Sequence, residues 1–251
     1  MKTASFKKIA RLFLGTTLIA MGSGAFAAST WDFGGCSVAT AGASGCAGSV
    51  AGNNAQAFAW ATTGSGAVFA AATLETSGAG NGFRVHAAGE STTSPQHAMD
   101  NSGAKELIAF HFDTAVALDK IILGWTSSDA DITVMAYTGA GAPTIAGKTV
   151  GNLATGWALI ENSGDVDAGS GSPDSGTDIT RTVNGSNVVS SWWLISAYNS
   201  GYGGGTLDSL SDFVKILSIS SKDVTKVPEP GSLVLLSAGL LGLVAVRRRR
   251  V

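Results

Sequence analysis

The chain has 251 residues, a formal net charge of −2 and 45% apolar residues, and this composition excludes an intrinsically disordered protein. The charge is unevenly distributed, because eight of the 16 Lys and Arg residues lie in the first 11 and last five positions, whereas all 18 Asp and Glu residues lie between residues 28 and 230. The segment between the ends therefore carries about −10. Such an acidic surface argues against nucleic-acid binding, which needs a basic one.

The amino terminus has the three parts of a secretory signal peptide. A basic segment ends at Arg11, an apolar run covers 12–21, and the small residues Ala25 and Ala27 fit a cleavage site for signal peptidase. The apolar run is shorter than the roughly 20 residues that a membrane-spanning helix needs. We therefore predict that residues 1–27 are a signal peptide, removed after Ala27 during export.

Cys36 and Cys46 are the two cysteines of the chain and lie in a stretch rich in Gly, Ala and Ser. In an exported protein such a pair favours a disulfide, which would close a short loop. Two free thiols are the alternative. A structural metal site needs more ligands than these two residues offer.

The middle of the chain consists of short apolar segments separated by turns rich in Gly, Asn and Asp. In 106–113, 131–138 and 191–198 the side chains fall into two alternating sets, such as Ile108, Phe110 and Phe112 on one side and Leu107, Ala109 and His111 on the other, which predicts β-strands. Further strands are predicted at 65–75, 82–88, 116–125, 157–161 and 213–220, and loops at 89–103 and 162–177. The pattern predicts an all-β fold, a single antiparallel β-sandwich of jelly-roll-like type, over residues 28–226.

Acidic pairs are the strongest ligand signal in this middle region. Asp129 and Asp131 flank one residue at a strand entry, and Asp165 and Asp167 repeat the spacing in a loop. Calcium binds several hard oxygen ligands from flexible loops, so these pairs are candidate calcium ligands. The spacing does not match an EF-hand loop, and solvated turn aspartates are the alternative. Apart from calcium, we expect no cofactor.

Aromatic residues provide a second candidate site. Trp192 and Trp193 are adjacent in a predicted strand, so their side chains should lie on opposite faces, one buried and one exposed. An exposed Trp192 or Trp193, together with Tyr198, could stack on sugar rings, whereas burial of both tryptophans is the alternative. The three histidines, His86, His97 and His111, show no ligand spacing, and no nucleophile motif is present. We therefore predict no catalytic residues and a protein that is not an enzyme.

The carboxy terminus combines a short proline motif with an apolar stretch. Val227, Pro228, Glu229 and Pro230 precede residues 231–246, which carry no charge. As a helix, this stretch would be about 24 Å long, short of a bilayer core of roughly 30 Å. The chain then ends in four basic residues that should remain cytoplasmic: Arg247, Arg248, Arg249 and Arg250.

In its proline motif, apolar stretch and arginine cluster, residues 227–251 resemble the PEP-CTERM sorting signal of Gram-negative bacteria. The resemblance implies a transmembrane sorting helix, a precursor held transiently in the inner membrane, cleavage near Pro-Glu-Pro by an exosortase, and delivery to the cell surface or extracellular matrix. The family is associated with bacteria that produce exopolysaccharide and form biofilms or flocs.

Three hypotheses follow for the exported body. The first is a structural or adhesive protein of the biofilm or floc matrix. The second is a carbohydrate-binding module for the exopolysaccharide of the host, which exposed aromatic residues beside a groove would favour. The third is a secreted hydrolase, which convergent carboxylates or histidines in a pocket would favour.

Overall fold

The computed structural model describes residues 28–34, 39–41, 48–50, 53–63, 68–76, 80–164, 178–205, 207–208 and 210–222. All of them belong to one compact unit, residues 26–225. Several predicted features lie outside the described residues: the signal peptide with Ala25 and Ala27, the cysteines Cys36 and Cys46, the aspartates Asp165 and Asp167, and the carboxy-terminal motif with its helix. Among the described residues, no helix is both long enough and apolar enough to cross a membrane.

The regular structure of the described chain is almost all β-strand, with one short α-helix, α1 (Val150–Leu153), and a short 3₁₀ helix at Ser200–Tyr202. In chain order the strands are β1 (Ser29–Asp32), β2 (Ala39–Ala41), β3 (Gly48–Val50), β4 (Asn53–Thr62), β5 (Phe69–Ala71), β6 (Thr73–Thr76), β7 (Phe83–His86), β8 (Met99–Asp100), β9 (Glu106–Val116), β10 (Leu118–Ser128), β11 (Ile132–Tyr137), β12 (Trp157–Ser163), β13 (Ile179–Thr182), β14 (Ser190–Ala197) and β15 (Asp212–Ser221).

These strands form two antiparallel sheets. The first has the order β13-β10-β15-β7-β6-β2, and β1 and β8 also pair with β15. The second has the order β12-β11-β14-β9-β4-β3, and β5 pairs with β4. The two sheets pack around one large apolar cluster, so the predicted antiparallel β-sandwich is confirmed.

The central strands of the second sheet are buried on both faces. In β9, Ile108 and Phe110 join the core between the sheets, whereas Leu107 joins a second apolar cluster on the outer face. The predicted alternation in β9, β11 and β14 is therefore confirmed. Residues from the β11–β12 connection, including Ile145 and Leu153, cover part of the outer cluster.

The strand β4 was not predicted, although it has ten residues and lies within the second sheet, between β9 and β3. Four alanines face the core between the sheets, and Phe58 and Trp60 pack on the outer side. Alanine is depleted in strands, so an alternation based on alanine gives little sequence signal. The short strand β8 falls within the predicted loop 89–103, where its two residues pair with β15.

Candidate metal centre

Three aspartates meet at one end of the sandwich, where the chain crosses from one sheet to the other. The crossing consists of residues 129–131, between the end of β10 and the start of β11. Asp212 begins β15, and a backbone bridge pairs it with Asp129. The Phe213 backbone N–H also donates to the Asp129 carbonyl at 3.1 Å. Strand pairing therefore brings Asp212 next to Asp129 and Asp131, although 81 positions separate it from Asp131.

The carboxylates of Asp129, Asp131 and Asp212 converge in the interior. Each offers one oxygen, and these three oxygens lie within 4.8 Å of one another. All three residues are at most 2% exposed. Such close packing of buried acids is costly unless protons or a cation compensate their charge.

Hydrogen bonds orient the carboxylates of Asp129 and Asp212 and leave one oxygen of Asp129 without an N–H or hydroxyl donor. Asp129 Oδ1 accepts from the Ala130 backbone N–H at 2.9 Å. Asp212 Oδ1 accepts from the Asp131 backbone N–H at 2.8 Å, and its Oδ2 accepts from Asn101 Nδ2 at 2.5 Å. Asp129 Oδ2 is buried and accepts no hydrogen bond from an N–H or hydroxyl group in the part of the chain that the structure describes, and the carboxyl group of Asp208 lies close enough to share a proton with Asp129. Buried polar atoms are nearly always paired, so this oxygen in a cluster of acids points to a proton or a cation as its partner.

The electrostatics of the cluster are those of acids that resist ionisation. Burial, together with the neighbouring Asp131, raises the pKa of Asp129 to about 7. Burial and the charge of Asp129 raise the pKa of Asp212 to about 8. Arg181 brings positive charge to this end of the sheet, where its Nη2 donates to the Ala130 carbonyl at 3.3 Å.

A divalent cation fits this donor set. The donors are all oxygens, which suits calcium better than zinc, since zinc prefers nitrogen and sulfur ligands. Calcium–oxygen distances of 2.3–2.6 Å place two oxygens on opposite sides of the ion about 4.6–5.2 Å apart, so the observed spread needs little rearrangement. The cluster can therefore hold an ion that replaces protons and neutralises the repulsion.

Sequence patterns identified two of these three aspartates. Asp129 and Asp131 were candidate calcium ligands, and the structure brings them together. Asp165 and Asp167 lie outside the described residues. Asp212 was missed because no local pattern links it to Asp131, and the pairing of β15 with β10 that brings them together is a long-range contact.

The three aromatic candidates lie in different environments. Trp193 is 0% exposed, lies in the core between the sheets, and its Nε1 donates to the Ser190 carbonyl at 3.0 Å. Tyr198 is also buried, and its hydroxyl donates to the Gly205 carbonyl at 3.0 Å. Trp192 is half-buried on the opposite face, with ring centroids 4.4 Å from His111 and 5.7 Å from Phe58. Of the three, Trp192 lines an open groove of about 760 Å³, beside Tyr137.

The carboxy-terminal end can be compared with known protein families. Residues 226–250 match the PEP-CTERM protein-sorting motif. This match confirms the resemblance that the proline motif, apolar stretch and arginine cluster indicated. The PEP-CTERM motif implies an exported, membrane-anchored precursor that is processed by an exosortase. It covers about a tenth of the chain, and searches of curated proteins and of solved structures returned no significant match.

Proposed function

We propose that this protein is a structural or adhesive component of the cell surface or biofilm matrix, and that its sandwich is stabilised by calcium at the centre formed by Asp129, Asp131 and Asp212. The observation that carries the proposal is the convergence of three buried carboxylates, in which Asp129 Oδ2 has no N–H or hydroxyl donor among the described residues. The PEP-CTERM motif supports delivery beyond the inner membrane. Extracellular modules commonly bind calcium with dissociation constants of roughly 10⁻⁴–10⁻³ M.

An ion at this centre would join the two layers of the sandwich. Asp129 follows β10 and Asp212 begins β15, both in the first sheet, whereas Asp131 precedes β11 in the second. A cation held by all three would resist separation of the sheets, and it would bind the folded state far better than the unfolded chain. A surface protein with a mechanical role benefits from such a cross-link.

The test is the effect of calcium on thermal unfolding of the full chain, purified in detergent at pH 8. At a calcium concentration about 100 times the dissociation constant, binding adds about 2.7 kcal/mol. For a domain of this size the melting temperature should rise by about 5–10 °C. Asp129→Asn should remove the part of the rise that this centre contributes, without lowering the melting temperature in EGTA, because it removes repulsion at nearly constant shape. Asp113→Asn, at an exposed position on β9, is the matched control and should keep the full rise.

An equal melting temperature in calcium and EGTA would overturn the calcium proposal. A rise that Asp129→Asn leaves intact would place the ion elsewhere.

Convergent carboxylates also bear on the hydrolase hypothesis. The cleft beside the centre, about 420 Å³ in volume, is lined by described residues that include Lys105, Tyr198 and Asp208 but none of the three clustered aspartates. A glycosidase needs its two acids on an accessible groove, about 5–9.5 Å apart. Three buried carboxylates with oxygens within 4.8 Å favour an ion rather than a sugar. We therefore propose that this centre binds an ion rather than hydrolyses a sugar.

Carbohydrate binding is a second candidate, favoured by the groove beside Trp192. The groove is open, and Tyr137, Ser190 and His111 line it with both aromatic and polar groups. Aromatic faces with nearby hydrogen-bonding groups are typical of sites that bind sugars. Trp192 already packs against His111 and Phe58, which reduces the free area of its ring.

Pull-down of the full chain with the exopolysaccharide of the host tests this candidate. Binding should fall at least tenfold in Trp192→Ala and persist in Trp60→Ala, which is the control because Trp60 packs in the same outer cluster but does not line the groove. No binding with or without calcium would count against a glycan-binding role.

A further inference from the structure

A second group of acids lies at the same end of the sandwich. Glu90 follows β7, Asp100 ends β8 and Glu106 begins β9. Each offers one carboxylate oxygen, and these three oxygens lie within 4.8 Å of one another. Asp100 is 0% exposed and Glu106 is 2% exposed, whereas Glu90 is half-buried.

Backbone N–H groups hold one oxygen of each carboxylate. The Ala87 N–H donates to Glu90 Oε2 at 3.1 Å, the Ser102 N–H to Asp100 Oδ1 at 2.7 Å, and the Asp100 N–H to Glu106 Oε2 at 3.0 Å. The carboxylates are thus oriented by the fold before any ligand arrives.

The opposite oxygens of the two buried acids have no donor. Asp100 Oδ2 and Glu106 Oε1 are fully enclosed, and neither accepts a hydrogen bond from an N–H or hydroxyl group among the residues that the structure describes. The carboxyl groups of Glu90 and Glu106 lie close enough to share a proton. Two unpaired acceptors in one buried cluster form an uncommon arrangement, since buried polar atoms are almost always satisfied. This observation, and not the acidic composition alone, indicates a ligand that accepts electron pairs.

The neighbouring cation, Lys105, does not supply a partner for these carboxylate oxygens. Lys105 Nζ donates to the Asn101 carbonyl, and its charge lowers the pKa of Asp100 only in part. Burial and the charge of Glu90 still raise the pKa of Asp100 to about 7, and burial raises the pKa of Glu106 well above its ordinary value. Like the first centre, this cluster needs protons or a metal ion at neutral pH.

We propose that Glu90, Asp100 and Glu106 form a second binding site for a divalent cation, of the hard, oxygen-preferring class that calcium represents. The oxygen-only donor set and the spread of up to 4.8 Å fit calcium, as at the first centre. Magnesium prefers shorter bonds and retains several waters, which a buried cluster accommodates less well.

The second site would also connect the two layers. Asp100 belongs to the first sheet through its pairing with β15, and Glu106 opens β9 in the second sheet. Asn101 lies between the two centres in the chain, and its side chain donates to Asp212 of the first. Two ions at one end of the sandwich would therefore cross-link the sheets on both sides of Asn101.

The experiment is calcium titration calorimetry on the full chain in detergent at pH 8, with stoichiometry as the main readout. We expect two calcium ions per unmodified chain. Glu106→Gln should bind one, and so should Asp129→Asn, while Asp113→Asn should still bind two. Asp100→Asn repeats the test at the second site, and circular dichroism of each variant shows whether the sandwich is retained.

The outcomes separate this inference from the proposed function. One ion, kept in Glu106→Gln and lost in Asp129→Asn, would overturn the second site and leave the first. One ion with the reverse pattern would support the second site and overturn the first. No calcium bound by the unmodified chain would overturn both, and that result does not depend on how any variant folds.

Discussion

At the residue scale, the raised pKa values of Asp129 and Asp212 set a definite pH dependence. The ordinary pKa of an aspartate is 3.8, and here the values are about 7 and about 8, chiefly because of burial. Ionising these groups therefore costs more in the folded than in the unfolded state. Their protonated forms contribute stability that is fully present below about pH 4 and is lost as the pH rises through 7–8.

Calcium should oppose this loss, because it binds the ionised carboxylates and competes with protons. We expect the rise in melting temperature caused by calcium to be small at pH 5 and largest at pH 8. In EGTA, the melting temperature of Asp129→Asn should fall less between pH 5 and pH 8 than that of the unmodified chain. Scanning fluorimetry at pH 5, 6.5 and 8 measures both effects. A calcium effect of equal size at pH 5 and pH 8 would contradict a site made of these acids.

The two acidic clusters together form the acidic end of the sandwich. The sequence alone could predict only some of the residues that meet there. Asp129 and Asp131 were visible because two acids one residue apart at a strand entry form a local pattern. Asp100, Glu106 and Asp212 are single acids, each at the end or start of a strand, and no spacing connects them. The pairing of β8 and β10 with β15 brings Asp100 and Asp212 to one place, and Glu106 reaches Asp100 from β9 in the other sheet.

At the element scale, β7 approaches β15 so closely that a glycine is required before it. A Cβ at Gly82 would lie 2.2 Å from the Ile216 carbonyl oxygen, and the residue has a φ of +80°. Both the backbone conformation and the lack of space exclude a larger side chain. The position therefore controls how β7 meets the first sheet, since Phe83 pairs with Ile216.

Gly82→Ala should lower the free energy of unfolding by about 3 kcal/mol or more, since it combines backbone strain with overpacking against another backbone. Gly89→Ala is the matched control, because Gly89 has a similar φ of +83° and a Cβ added there would have nothing within 4 Å. The control should lose only about 1 kcal/mol from strain. Urea unfolding of both variants measures the difference, and equal losses would show that the contact with Ile216 is unimportant.

The elements themselves were predictable where large side chains alternate. In β9, β11 and β14, large apolar residues on both faces form short apolar runs typical of buried strands, and the structure confirms these strands. In β4 the inward positions are alanines, and in β8 two residues gain strand geometry only through β15. Tertiary pairing, rather than local preference, forms these elements.

At the scale of the whole molecule, the acidic end and the PEP-CTERM motif are consistent with each other. Calcium can stabilise a protein that works outside the inner membrane, where modules commonly bind it. The motif implies that this protein is exported across that membrane. If the two proposed centres bind calcium, the sandwich would gain its full stability only after export, when it meets calcium. Sorting and stabilisation would then act in sequence on the same chain.

Deleting residues 228–251 should separate these two steps. The truncated protein should fold and respond to calcium, yet it should be found in the periplasm or the medium, because it lacks both the processing motif and the apolar stretch. A second variant, Pro228→Ala with Pro230→Ala, keeps the apolar stretch and the arginine cluster, so it should remain as an uncleaved precursor in the membrane. Cell fractionation, with an antibody against the sandwich, measures location and size together.

Unchanged surface display of the truncated protein would mean that the motif does not direct sorting. Loss of display with a normal calcium response would show that sorting and folding are independent.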